Sequence, residues 1–116
     1  MTIRELRESF YNIIESFSLP IFLQGSMSEN EEYPKTFITY FIPEIDDTHF
    51  ADNEAKLKSV IFEVAIYSED LSEIDRLSEE IKKKMKINDY NFLIGGDVAS
   101  DTQTHSGFMQ RFSKLL

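Results

Sequence analysis

Residues Lys58 to Tyr67, KSVIFEVAIY, decide what kind of fold this chain adopts. β-branched and aromatic side chains fit a pleated, half-buried backbone, so the segment reads as the longest strand. A strand with one wet face alternates apolar with polar residues. This one does not. Val60, Phe62, Val64 and Ile66 fall on one side, and Ile61, Ala65 and Tyr67 on the other, where Glu63 is the only charge. Both faces therefore read as covered.

Just upstream, Thr36 to Ile42, TFITYFI, has the same texture, with Pro34 and Pro43 marking its ends. It sets Phe37 and Phe41 on one side and Ile38, Tyr40 and Ile42 on the other. The two segments are expected to form an antiparallel hairpin. Its connection, Glu44 to Glu54 (EIDDTHFADNE), reads as a long, hydrated acidic loop. Further upstream, Ile21-Phe22-Leu23 reads as a short buried strand closed by Gly25-Ser26, and Met27 to Tyr33 as a polar loop. Thr2, with Glu5 three residues on, caps a first helix running to about Ser16, whose apolar face is Ile3, Leu6, Phe10, Ile13, Ile14 and Phe17. Ser18-Leu19-Pro20 stops it.

Downstream, Ser68 or Asp70 caps a second helix with the stripe Leu71, Ile74, Leu77, Ile81 and Met85, and Glu73 stands in the capping-box position. Acids at its start and Lys82, Lys83, Lys84 and Lys86 at its end complement the helix dipole. Tyr90 to Ile94 and Gly107 to Phe112 supply one or two more strands around the flexible loop GGDVASDTQTHSG. The expected fold is α+β, a mainly antiparallel sheet with two helices packed on one face, in the order α-β-β-β-α-β(β) and as a single domain over 1–116. Two helices cover one face only. The apolar residues of the other are tolerated in solvent, lie beneath the tail of the chain, or meet a neighbouring subunit.

A chain of 116 residues buries roughly two thirds of its unfolded surface, enough for one core. It has no cysteine, which excludes disulfides, thiolate metal sites and cysteine nucleophiles. The amphipathic, charged MTIRELRESF is no signal peptide, and no apolar run reaches transmembrane length. A soluble protein kept in the cytoplasm is expected. Twenty-one acids against twelve bases give a net charge of −9, which repels nucleic acid and anionic lipid, so no specific nucleic-acid binding and no membrane partner are expected.

No catalytic constellation emerges. Asp46, Asp47, His49 and Asp52 offer oxygen and imidazole donors that Zn, Mn or Mg accept. There is no second histidine at helical spacing and no calcium-loop pattern, so neither a metal nor a cofactor is assigned. His49 and His105 are possible general bases, but no nucleophile-elbow motif accompanies them. Gly95-Gly96-Asp97 lacks the ending of a phosphate loop and reads as a turn with positive φ at glycine. The lysine run already has a use at its helix C-terminus, which competes with any DNA contact. The chain is not expected to be an enzyme.

The capped first helix, YPKTFITYFIPE, the acidic FADNE, the strand VIFEVAIYSED leading into LSEIDRLSEEIKKKM, and the closing GFMQRFSK together resemble the tail terminator and tail-completion proteins of long-tailed phages and prophages. The resemblance spans nearly the whole chain and lies in element order and texture, with no single diagnostic motif. It implies a structural protein, made in the host cytoplasm and carried into the virion. Such a protein forms a homo-oligomeric ring, commonly of six copies, which caps the tail-tube protein and offers a surface to the head connector while DNA passes through. Strand parity and loop position then make Ile38, Tyr40, Ile61, Glu63 and Tyr67 candidates for subunit contacts. Asp46, Asp47 and Asp52 become candidates for the lumen or the tube-facing surface. The alternatives are a head-closure or adaptor protein of the neck, a small acidic protein that binds a host factor, and a metal-binding module built on the acidic segment.

Overall fold

A computed structural model describes residues 2–23, 33–51, 54–100 and 102–115, with the backbone alone at 46–51 and 54–57. It is α+β, with two helices and a five-stranded mixed sheet in the order α1(Ile3–Glu15), β1(Ile21–Leu23), β2(Thr36–Ala51), β3(Glu54–Ser68), α2(Leu71–Ile87), β4(Asn91–Val98), β5(Ser106–Leu115). The strands lie side by side as β1-β2-β3-β5-β4. β1 runs parallel to β2, and every other neighbouring pair is antiparallel.

Helix α1 forms where its cap and apolar face predict. The Thr2 hydroxyl accepts from the Glu5 amide at 3.1 Å, and Leu6, Phe10, Ile13 and Ile14 are buried. It ends as Ser18 adopts a positive φ of 58°. Helix α2 is capped by Asp70, whose carboxylate accepts from the Ser72 amide at 3.0 Å and from the Ser72 hydroxyl at 2.7 Å. These two bonds hold the Asp70 carboxyl below its ordinary pKa. The reciprocal capping box does not form: the Asp70 amide donates to the Ser68 hydroxyl at 3.0 Å, and the Glu73 carboxylate takes Arg76 at 2.7 Å. Ile74, Leu77, Ile81 and Met85 are buried as expected. Leu71, expected in the stripe, is 64% exposed. It is the first residue of the helix, beyond the reach of the core.

One apolar cluster joins the buried residues of both helices to Ile38, Val60, Phe62, Val64, Ile66, Tyr90 and Phe112. At its centre the Phe10 and Phe62 rings stack, 4.1 Å between centroids and 10° from parallel. Burial pushes the Tyr90 phenol up to about 12, and its hydroxyl lies in the core without a hydrogen-bond partner.

The acidic segment is not a loop. β2 runs to Ala51 and β3 begins at Glu54, so all of the segment except residues 52–53, which lie outside the described set, belongs to the two strands. Pro43 does not end the strand, because the register shifts between Phe41 and Glu44 and the irregularity absorbs a residue without an amide hydrogen. Two more shifts occur near His49. β5 reaches only to the Ser59–Leu115 pair, and β1 only to Leu23–Tyr40. Among the described residues the hairpin therefore outruns the sheet as a two-stranded arm, with no third strand beside it. The readings of Gly25-Ser26 and of the Met27–Tyr33 loop as far as residue 32 also lie outside the described residues.

A second correction concerns Gly95-Gly96. Both lie inside β4 in extended backbone with no positive φ. A Cβ on Gly95 would stand 3.3 Å from both the Phe92 and Phe108 rings, so the glycine makes room for side chains, not for a turn. Gly107 has the tighter approach, with Tyr67 ring carbons 2.7 and 2.9 Å from a built Cβ.

Candidate interaction site on the second sheet face

Register fixes which residues share a face. Ile38 pairs with Ile66 and Tyr40 with Val64, whereas Phe37 pairs with Tyr67 and Phe41 with Glu63. Because side chains alternate along a strand, Ile38 and Tyr40 stand with the core residues of β3. Ile38 has no exposed surface, and Tyr40 packs against the core cluster with its ring 5.9 Å from Tyr11. Ile61, Glu63 and Tyr67 stand on the opposite face, each half-buried. The five contact candidates are thus split between faces, and a single contact surface takes only the last three.

Sequence reading missed the rest of that surface. Phe41 of β2 and Met109 and Arg111 of β5 join it, since Met109 pairs with Ala65 and Arg111 with Glu63. The Arg111 guanidinium donates to the Glu63 carboxylate at 2.8 Å, so the lone charge foreseen in β3 is neutralised across the strand. Ile94, paired with Arg111 on the outer strand, is 52% exposed. The signal for these residues is pairing register, which a single sequence does not carry.

One end of this face is closed by the chain itself. Phe37 stacks on Tyr67 at 5.1 Å and meets Phe22, Tyr33 and His105 within 6.0 Å. His105 is buried. Its Nε2 faces the Pro34 carbonyl at 2.8 Å, and Nδ1 lies 2.8 and 3.0 Å from the Thr102 and Thr104 hydroxyls. A carbonyl only accepts, so Nε2 carries the proton and Nδ1 accepts from a threonine in the neutral ring. Both nitrogens are engaged in pinning residues 102–105 to the strand entry, which removes the free lone pair a general base needs. The tail of the chain does not fold over the second face, because it forms β5 within the sheet; Tyr33-Pro34 and residues 102–105 cover one end of that face instead.

Asp46 and Asp47 lie on the arm, paired along the backbone with Ser59 and Lys58; their side chains and that of His49, like all of Asp52, fall outside the described residues. Among the described residues no group of three or more His, Cys, Asp or Glu side chains could hold a metal ion. The lysines at the end of α2 are exposed. Lys84 donates to Ser16 at 2.7 Å and Lys82 lies 4.3 Å above the Phe92 ring, and among the described residues none of Lys82, Lys83, Lys84 and Lys86 pairs with a carboxylate. Among the described residues no helix is long and apolar enough to cross a membrane. Neither a protein-family profile nor a curated protein sequence matches this chain.

Proposed function

We propose that the chain is a non-enzymatic structural subunit that assembles into a ring, of the kind that terminates a phage tail tube and presents the head-joining surface. In this reading both helices cover the face of the sheet that carries Val60, Phe62, Val64 and Ile66, and a second copy covers the other. The observation that carries it is the half-exposed apolar strip of Phe41, Ile61, Met109 and Ile94 around the Glu63–Arg111 pair. Fully burying such a side chain contributes about 1.5–3 kcal/mol, so a half-buried one has about 1 kcal/mol left to give on contact. A head-to-tail contact that closes on itself leaves no free end, which is how a ring stops a polymerising tube. Net charge of −9 keeps passing DNA from adhering. Host cytoplasm during assembly and the virion afterwards are the matching locations.

The test is Ile61→Glu. It puts an unpaired carboxylate into the contact and is expected to abolish rings in negative-stain images, while circular dichroism reports a folded monomer. A wild-type protein that stays monomeric with purified tail tubes, and leaves their length unlimited, overturns the proposal.

A further inference from the structure

We propose that β4 pairs edge to edge with β4 of a second copy, antiparallel about a two-fold axis at Gly96. β4 is outermost in the sheet, beyond β5, and no strand flanks its other side among the described residues. Its outward amides and carbonyls are a template for a further strand, and folded proteins guard such an edge with proline, lysine or a bulge. β4 has neither proline nor lysine. Its one register shift lies between Phe92 and Ile94, so residues 94–98 form a regular edge with Asp97 as their single charge.

Two features fit this edge to a copy of itself. The first is charge. Lys82 stands 4.3 Å above the Phe92 ring near the start of β4, and exposed Lys86 follows one turn on along the same helix face. At the other end Asp97 and Asp75 line one hollow with Leu71, Val98 and Phe108. A two-fold axis sets the basic end of each copy against the acidic end of the other.

The second is shape. An axis at Gly96 places Gly96 opposite itself, Ile94 opposite Val98, and Asp97 opposite Gly95. A Cβ built on Gly96 meets nothing within 4 Å, so the two backbones approach there without side chains between them. Ile94, 52% exposed, gains an apolar partner in Val98. Gly95 and Asp97 stand on the helix-bearing face, because their partners Gln110 and Phe108 reach Ser78 of α2 and the core cluster. Gly95 has no side chain to displace, and the Phe92 ring comes within 3.3 Å of its built Cβ. The incoming Asp97 carboxylate therefore arrives beside the ring that Lys82 covers. The inference does not rest on the ring reading, since Ile61 lies in β3, two strands from this edge.

The chain has no cysteine, so a single introduced one reports a single distance. Opposed residues of an antiparallel pair have Cα atoms about 4.5–5.5 Å apart, within the span of a disulfide. On mild oxidation full-length Gly96→Cys should give a disulfide-linked dimer. Ile94→Cys places its two thiols four residues out of register, about 13 Å along the strands, and should give at least about tenfold less. The Gly96→Cys dimer should persist in an Ile61→Glu background. In sedimentation velocity, with circular dichroism to confirm folding, Asp97→Lys should weaken association of the cysteine-free chain at least about threefold, and adding Lys82→Glu should restore it. Equal yields from the two cysteine variants, loss of the Gly96→Cys dimer with Ile61→Glu, or association indifferent to Asp97→Lys each overturn the edge contact. Rings that fail while the Gly96→Cys dimer persists overturn the ring reading and leave the edge contact standing.

Discussion

Replacing Gly107 by alanine isolates one contact on the second face. The new methyl carbon would stand 2.7 and 2.9 Å from two Tyr67 ring carbons and 2.9 Å from the Val98 carbonyl oxygen, all inside van der Waals contact. Tyr67 cannot swing aside cheaply, because it stacks on Phe37 at 5.1 Å, and Phe37 is 4% exposed. Overpacking of this kind costs about 1–3 kcal/mol. Unfolding entropy of roughly 2.1 cal/mol/K per residue over 116 residues makes each kcal/mol worth about 4 °C. Gly107→Ala should therefore lower Tm by about 4–12 °C in a calorimetric scan. Gly96 provides the control, since its added Cβ meets nothing within 4 Å, and Gly96→Ala should leave stability within about 0.5 kcal/mol of wild type or raise it. In a Tyr67→Ala background the cost of Gly107→Ala should shrink without vanishing, because the Val98 oxygen remains. A cost below about 0.5 kcal/mol, or an equal cost in both backgrounds, refutes the argument.

In urea titrations Phe62→Ala should lose about 3–5 kcal/mol, and a double-mutant cycle with Phe10→Ala should return a coupling of about 0.5–1.5 kcal/mol for their stacked rings; additive losses would contradict the stacking. Asp70 has a folded-state pKa held below its unfolded one by its bonds from Ser72, so its contribution is complete above the unfolded value and is lost as pH falls through the folded one. Asp70→Asn keeps an N-cap but not the charge. Thermal melts should find wild type ahead at neutral pH and the gap closing in acid. A gap constant down to about pH 2 would remove the carboxylate from the account.

Much of the core was legible because parity and helical spacing are local properties. Val60, Phe62, Val64 and Ile66 share a face, and Leu6, Phe10, Ile13 and Ile14 share another, without reference to any partner. The arm was not legible. Its acids argued for a loop, and among the described residues no third strand flanks it to tie it to the sheet. The parallel pairing of β1 was hidden for a similar reason, since three residues identify a strand but not its neighbour. The contact candidates failed to separate because TFITYFI is apolar on both sides. Which side joins the core depends on its register with β3, where Ile38 meets Ile66 and Phe37 meets Tyr67.

The position of β5 has a consequence for synthesis. It follows the other four described strands in the chain, yet it lies inside the sheet, hydrogen-bonded to β3 on one side and β4 on the other. A nascent chain that has emerged only as far as Gln103 can zip β2 against β3, but β4 has nothing to pair with. One edge of VIFEVAIY stands open, and unpaired edges of this composition are templates for other chains. Closure of the sheet thus waits until the ten residues of β5 have left the ribosome tunnel.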